Sequence, residues 1–339
     1  MRLFGVTMVR NEADIIEAFV RHNLSIVDGL IIVDHGSFDG TPGILAKLES
    51  EGLPLRVLHD ADPAYRQSQS MTALAREALA RDAADFVFAL DADEFLKVKS
   101  RTDLEAALAE VPAGMHAAMH WLTYVPDAFD DDAAGFGPGH LWWRLRTERQ
   151  SLVKVIVSRA FLERPTDSIA MGNHSVLSGN KENAPENAPE NAPPNAPANA
   201  PPHARLRQDV VALAHCPVRS RAQLEAKIVI GHLAHLAAGA DDRRLGRHWR
   251  ELYSELDAGG TFDEKRLREI ASNYGLPPKA WRPVTEIELV EDPVPLTAEQ
   301  RYRVDAVRDP LQLLLQFTET LVAAAREQSG AGGTRYVML

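Results

Sequence analysis

The stretch FVFALDADEF, residues 86–95, is an apolar run that ends in three carboxylates. Residues 86–90 have the length and composition of a strand buried on both faces, as in a parallel sheet covered by helices. Asp91 and Asp93 lie two residues apart, so on an extended chain they project to the same side. Because ligands of open α/β sheets bind at the carboxyl ends of the strands, these acids predict a site for Mg²⁺ or Mn²⁺. The alternative is an acidic surface turn, which is common after strands.

The composition is that of a globular protein from a reducing compartment. The chain has 339 residues, of which 45% are hydrophobic, enough for a sizeable core. A net charge of −11 without a basic tract argues against nucleic acid or an anionic membrane as the main partner. Cys216 is the single cysteine, so no intrachain disulfide can form. Neither a signal peptide nor an apolar run long enough to cross a membrane is visible, which predicts a cytoplasmic protein without a transmembrane segment.

Strand-like and helix-like segments alternate in the first part of the chain. Short apolar runs at residues 3–8, 30–33 and 55–58 precede the strand at 86–90, and a helical pattern separates each from the next. This β-α-β-α-β-α-β order indicates a parallel sheet with right-handed crossovers. We therefore expect an α/β fold with a mostly parallel sheet flanked by helices.

Local signals predict where the first two helices begin and end. Asn11, with Asp14 three residues later, resembles a capping box at the start of the first helix. Thr41 is expected to cap the second helix, with Pro42 at its first position, and Gly52 to close it in a left-handed conformation.

The remainder of the chain carries more strands, a low-complexity insertion and a helical end. Residues 180–203, NKENAPENAPENAPPNAPANAPPH, have almost no apolar bulk, so we expect a disordered or polyproline-like insertion. After Asp241 the pattern is helical, and Thr297 is expected to start a long amphipathic helix that runs through Ala325. Further strands are predicted at residues 116–124, 152–157 and 210–214.

Three motifs follow strands one, two and four in this order: TMVRNE (7–12), VDHGSFDGT (33–41) and FALDADEF (88–95). As an ordered set over about the first 125 residues, they resemble the family 2 glycosyltransferases, which have the GT-A fold. In that family the carboxyl edge of the sheet holds a nucleotide-sugar, and the aspartate motif holds a divalent metal on its diphosphate. The resemblance implies a transferase that uses Mn²⁺ or Mg²⁺ and a nucleoside-diphosphate-sugar, with a UDP-sugar favoured.

The resemblance also implies roles for single residues. Arg66 matches the region where relatives place a basic residue near the diphosphate, although a solvated arginine at a helix start is the alternative. His35 stands where many relatives have a second acid. Since a neutral histidine can accept one hydrogen bond, uracil recognition stays feasible while the choice of nucleotide is open. The residues implied in donor binding are Thr7, Arg10, Asn11, Glu12, Asp34, His35, Arg66 and Asp91.

The stretch HCPVRSRAQLEAK, residues 215–227, resembles a His-x-x-x-Arg-Ser element followed by a helix with a lysine, which occurs downstream in a bacterial branch of this family. By this resemblance His215 is a third metal ligand beside Asp91 and Asp93, or a diphosphate contact. The alternative is a structural residue that caps a helix.

Resemblance to family 2 implies an inverting reaction, in which an acceptor hydroxyl attacks the anomeric carbon in a single displacement. A side chain on the acceptor side must take the hydroxyl proton. His174 lies at a suitable distance along the chain and, as an unperturbed histidine, would titrate near neutrality, which favours it over Asp127. A plain turn residue is the alternative for His174. By family analogy the acceptor is a saccharide or a lipid-linked molecule of the cell surface, and the enzyme works in the cytoplasm or at the inner face of the membrane.

We expect a nucleotide-sugar-binding half in residues 1–125, an acceptor-side half in 126–238 and a helical region in 239–339. Competing functions are phosphoryl transfer by a haloacid-dehalogenase-like enzyme, nucleotidyl transfer, and a non-catalytic sugar-nucleotide-binding module. The first class usually has Thr or Val where this chain has Phe95, and the second needs a glycine-rich basic loop that TMVRNEAD lacks.

Overall fold

The computed structural model describes residues 1–129, 136–150, 152–179, 203–239, 247–296, 300–302 and 309–330. The predicted insertion at 180–203 lies outside these ranges except for its last residue, His203. The described strands are β1 (Leu3–Val9), β2 (Gly29–Asp34), β3 (Leu55–His59), β4 (Phe86–Ala89), β5 (Glu94–Val98), β6 (His116–Thr123), β7 (Trp143–Leu145), β8 (Val153–Ser158), β9 (Ser168–Ile169), β10 (Val176–Leu177), β11 (His203–Arg205), β12 (Val211–His215) and β13 (Leu289–Glu291). The described helices are α1 (Ile16–Leu24), α2 (Thr41–Ser50), α3 (Gln67–Ala80), α4 (Arg101–Ala109), α5 (Arg221–Ala237), α6 (Arg247–Asp257), α7 (Glu264–Asn273) and α8 (Pro310–Gly330).

One large sheet forms the centre of the described structure, with the strand order β3-β2-β1-β4-β8-β6-β12-β5 and β11 beside β6. The first four strands are mutually parallel, as are β6 and β12 and β6 and β11. Strand β8 runs antiparallel to both of its neighbours, and β5 runs antiparallel to β12. The structure thus confirms the predicted α/β fold with a mostly parallel sheet flanked by helices.

Side chains of the central strands point alternately to the two faces of the sheet, and both faces are buried. Leu30 and Ile32 of β2 lie in one hydrophobic cluster with residues of α1 and α2. Ile31 and Val33 of the same strand lie in another, which is built largely against α3. Burial on both faces explains why these strands read as continuous apolar runs.

The predicted capping box of the first helix is wrong. Helix α1 begins at Ile16, and no side chain caps it. Asn11 instead has a φ of 55°, and its Oδ1 accepts a hydrogen bond from the Phe38 amide at 2.8 Å. The Asp14 carboxylate is bound by Arg219. Both side chains therefore serve long-range contacts rather than the helix start.

The second helix follows its prediction in part. Gly40 occupies the capping position, and Thr41, the first helical residue, uses its hydroxyl to accept a hydrogen bond from the Glu12 amide at 2.9 Å. Thr41 is therefore not the cap. Pro42 lies in the first turn, and Gly52 follows the helix with a φ of 77°, as expected.

The predicted long helix through Ala325 is present as α8, but it starts later than expected; Thr297 itself lies outside the described residues. Residues 300–302 are not helical, because the amides of Arg301 and Tyr302 donate to the Glu17 carboxylate. Helix α8 starts only at Pro310, a residue that suits a first helical turn. Its Phe317 is buried against α5.

The sheet is continuous across residue 125, since β4 pairs with β8 and β5 pairs with β12. The predicted halves 1–125 and 126–238 thus share one sheet, and the three-part division stays a prediction. None of the described helices is long and apolar enough to cross a membrane.

Candidate active site

The carboxyl ends of several strands meet at one edge of the sheet. Strands β1, β2 and β4 are parallel neighbours, so the residues that follow them emerge side by side. Strand β12 ends in His215, which lies opposite Glu94 in the pairing of β12 with β5. This register brings the His215 element, which is far away in the sequence, next to the aspartate motif at residues 91–93.

Asp93 is a buried carboxylate held by two basic groups. Its side chain is 3% exposed, Oδ2 lies 2.6 Å from Lys227 Nζ, and Oδ1 lies 3.4 Å from His215 Nε2. Burial opposes the charged form, but Lys227 and His215 outweigh it and hold the pKa of Asp93 well below its usual value. Oδ1 has no hydrogen-bond partner among the described residues.

Asp91 is fixed by three side chains. Lys154 pairs with Oδ2, while Gln67 and Asn173 donate to Oδ1 at 2.9 and 3.0 Å. Lys154 is 1% exposed and also lies 2.8 Å from the fully buried Glu94. A lysine in this position needs such partners, because an unpaired buried ammonium would be very unfavourable.

The first and last motifs are joined by a buried ion network. Arg219 donates to Glu12 at 2.5 Å and to Asp14 at 2.6 and 3.0 Å. Burial is the main cause that raises the pKa of Glu12 to about 7, against the opposing charge of Arg219. Ser220, the next residue, caps α5 by accepting from the Gln223 amide. His215 is therefore a strand residue and not the helix cap.

Six of the residues implied in donor binding lie in or just after β1 and β2: Thr7, Arg10, Asn11, Glu12, Asp34 and His35. Thr7 and His35 are buried, and neither Thr7 Oγ1 nor His35 Nδ1 has a hydrogen-bond partner among the described residues. Burial and the nearby Arg10 lower the pKa of His35 to about 4, so its ring is neutral. Arg10 donates to the His35 carbonyl at 2.5 Å, and Asp34 accepts from the Ser37 amide at 3.2 Å. Buried polar atoms without partners are the kind that a ligand satisfies.

His174 lies beside this cluster. Its ring stacks on Trp121, with centroids 5.9 Å apart, and Trp121 in turn contacts His215 edge-on at 4.0 Å. His174 Nδ1 lies 2.8 Å from the Val153 carbonyl, which can only accept, so the proton is on Nδ1 and the lone pair on Nε2. Burial, followed by the charge of Lys154, lowers the pKa of His174 to about 4.

Two predicted residues are placed differently. Arg66 forms an ion pair with Asp62, and its side chain is 50% exposed, as expected for the solvated alternative. Asp127 is exposed, and its main-chain carbonyl accepts from Arg268 of α7 at 2.9 Å. The roles of both residues stay predictions.

The donor set only partly fits a divalent metal. Among the described residues, no group of three or more His, Cys, Asp or Glu side chains could hold an ion. Asp93 Oδ1 and His215 Nε2, 3.4 Å apart, do fit as a pair, because two ligands each about 2.1 Å from one ion are separated by roughly 3 Å. Mg²⁺ is often bound by one or two carboxylates together with substrate phosphates. Asp91 fits less well, since both of its oxygens are engaged.

The sequence did not reveal the roles of several residues that build the site: Gln67, Trp121, Lys154, Asn173, Arg219 and Lys227. One signal was available for Lys154. A single lysine inside the apolar run VKVIV of β8 indicates a buried ammonium and hence a buried carboxylate partner.

Comparisons with known proteins give loose structural likenesses. No family model matches the chain, and no curated protein matches it. A structure of TarS from S. aureus is 13% identical, with a TM-score of 0.35, over 78% of this chain and 43% of TarS. Residues 1–349 of TarS, solved in complex with UDP, give 12% identity and a TM-score of 0.33 over 76% of this chain and 72% of that one. Glucosyl-3-phosphoglycerate synthase from Mycobacterium tuberculosis, solved with Mn²⁺, UDP and glucosyl-3-phosphoglycerate, is 24% identical over 35% of this chain and 43% of its own, with a TM-score of 0.24. This chain thus spans less than half the length of two of these proteins.

Proposed function

We propose that the protein is a glycosyltransferase that moves a sugar from a nucleoside-diphosphate-sugar to an acceptor hydroxyl. The observation that carries the proposal is the arrangement at the carboxyl edge of the sheet. Asp91 and Asp93 lie there with the buried cations Lys154 and Arg219 and with Lys227, which is 21% exposed. Carboxylates and cations gathered beside unpartnered polar atoms suit a ligand that joins a nucleoside to a charged diphosphate.

The donor-binding groups divide into two sets. Thr7 and His35 offer unpartnered polar atoms to the nucleoside, and the neutral His35 ring can accept a hydrogen bond from uracil. We therefore favour a UDP-sugar. Asp93 and His215 would hold a divalent cation, Mn²⁺ or Mg²⁺, which neutralises the departing diphosphate when bound.

The acceptor side of the mechanism needs a base. We assign this role to His174, whose Nε2 carries the lone pair and whose ring is held against Trp121. With its pKa lowered to about 4, the imidazole is neutral at physiological pH and its lone pair is available, but it is a weaker base than a histidine that titrates near neutrality. A single displacement with such a base inverts the anomeric configuration. The exposed Asp127 is the competing base, and a saccharide or lipid-linked acceptor is our expectation.

A screen of UDP-, GDP-, ADP- and CDP-sugars by thermal shift, with and without Mn²⁺, tests the function. A ligand that binds only the native state stabilises it by roughly 2.7 kcal/mol at a hundredfold excess over its dissociation constant. If no nucleotide-sugar or nucleoside diphosphate raises the melting temperature, the proposed function fails.

The base is tested with His174→Ala and Asp127→Asn, each measured for turnover and for donor affinity. The variant that lacks the base should lose turnover by roughly 10²- to 10⁴-fold and keep its donor affinity. Normal turnover in His174→Ala would remove His174 from the mechanism.

A further inference from the structure

Two lysines neutralise the aspartate motif, and they differ in how tightly they are fixed. Lys154 is 1% exposed and lies between Asp91 and Glu94, so its ammonium has carboxylates on two sides. Lys227, on α5, is 21% exposed and pairs with Asp93 Oδ2 at 2.6 Å. Of the two, Lys227 is the one whose ammonium can turn on its flexible stem toward an incoming group.

The ammonium of Lys227 can bind a second anion besides Asp93. Its Nζ lies 5.9 Å from the centre of the Tyr274 ring. An ammonium has three donor hydrogens, and among the described residues the hydrogen bond to Asp93 uses one of them. A diphosphate that entered beside Asp93 could therefore reach the ammonium without any change in the backbone.

A divalent cation bound to Asp93 would weaken the ion pair between Asp93 and Lys227. The carboxylate is 3% exposed, so it needs a positive partner at all times. A divalent cation held by Asp93 Oδ1 and His215 Nε2 would lie within a few ångströms of the ammonium and would repel it. The lysine charge then needs another anion, and the diphosphate is the anion that arrives with the cation.

We propose that Lys227 exchanges partners: it neutralises Asp93 in the nucleotide-free protein and turns to the donor diphosphate when Asp93 and His215 accept a divalent cation. The proposal rests on the proposed function and adds a binding residue to it. The exchange couples the binding of the cation to the binding of the nucleotide. Without the nucleotide, the cation must displace the Lys227 ammonium while no diphosphate is present to pair with it. By linkage, each ligand should raise the affinity of the other by the same factor, about fivefold or more.

The test measures Mn²⁺ binding directly, by electron paramagnetic resonance of free Mn²⁺, and UDP binding by calorimetry. In the unaltered protein Mn²⁺ should bind weakly alone and at least about fivefold more tightly with saturating UDP. Lys227→Met should bind Mn²⁺ alone more tightly than the unaltered protein, bind UDP more weakly, and lose most of the coupling. Lys99→Met is the matched control, because Lys99 is 63% exposed and pairs with Asp103 away from the site.

Several outcomes would overturn the proposal. One is Mn²⁺ affinity in Lys227→Met that equals or falls below that of the unaltered protein. Another, which requires no variant, is independent binding of Mn²⁺ and UDP to the unaltered protein. Failure of UDP and every other nucleoside diphosphate to bind at all would instead remove the proposed function, and with it the role of Lys227.

Discussion

Replacement of Lys154 by methionine tests whether the buried cations maintain the site. The methionine keeps most of the side-chain length but leaves Asp91 and the fully buried Glu94 without their ammonium. Removing one partner of a buried ion pair costs roughly 3–5 kcal/mol, because the other charge stays desolvated. Against a total stability of about 5–15 kcal/mol for a typical domain, this loss is large.

The expected loss depends on pH in a direction that the structure fixes. Burial is the main cause that raises the pKa of Glu94 to about 8, and Lys154 opposes it. Without Lys154 the native pKa rises further, so below it a proton replaces the missing charge. Below about pH 8 the native Glu94 holds a proton with or without Lys154, whereas above about pH 8 only the variant keeps it. Since the native variant then binds more protons than the unaltered native protein, the deficit of Lys154→Met should be larger at about pH 9 than at about pH 7.

Urea unfolding followed by circular dichroism at both pH values measures this deficit. Lys97→Met is a matched control, because Lys97 is also a strand lysine paired with an aspartate, Asp292, but is 27% exposed. Its loss should be at most about 1 kcal/mol. A Lys154→Met deficit as small as that of the control, or one that does not change with pH, would refute the reasoning.

Three further predictions follow from the structure. Asp93→Asn should keep the fold, because Lys227 is partly exposed and can reach water. The variant should lose Mn²⁺-dependent UDP binding in calorimetry, and unchanged binding would contradict the assignment of Asp93 as a metal ligand. Burial lowers the pKa of His116 to about 3, so its contribution to stability is present above about pH 6.5 and is lost as pH falls toward 3. His116→Gln should therefore flatten urea-measured stability in that window, by up to about 1.4 kcal/mol per pH unit, and an unchanged slope would count against it. A short Gly-Ser linker in place of residues 181–201 should preserve the melting temperature and the turnover. The reason is that Val176 N and His203 Nε2, which flank the segment, are only 3.2 Å apart. A soluble variant without turnover would show that the segment takes part in function.

The sheet could be predicted because its signals are local. Strands such as β2 are buried on both faces and therefore appear as apolar runs, and β1, β2 and β4 each precede a polar motif. The helix starts could not be predicted equally well. Asn11, Asp14 and Thr41 have the chemistry of caps, but their side chains bind partners that are distant in sequence. A local signal of this kind does not show which of two hydrogen-bond partners is closer in the fold.

The candidate site, like the fold, could be predicted only where its signals are local in the sequence. Asp91 and Asp93 could be placed at a strand end because they follow an apolar run, and the structure puts them there. Their lysine partners could not be assigned, because the pairings join residues 63 and 134 positions apart. The pKa of His174 was also out of reach, since an unperturbed value near neutrality gives way to about 4 only through burial and the charge of Lys154.

Because of these long-range pairings, residues from both halves of the sequence are needed to build the site. Glu12 belongs to the first motif and Asp14 follows it closely, yet the cation that holds them, Arg219, is 207 positions from Glu12. Together with Asp91 and Asp93, they give residues 1–125 four acids at the sheet edge, and the cations that pair with these acids, Lys154, Arg219 and Lys227, lie beyond residue 150. Because buried carboxylates without cations are strongly unfavourable, the first half should not form this site alone. The ordered motifs therefore identify the donor side of the site, while its charge balance is supplied by β8 and by the segment that leads from β12 into α5.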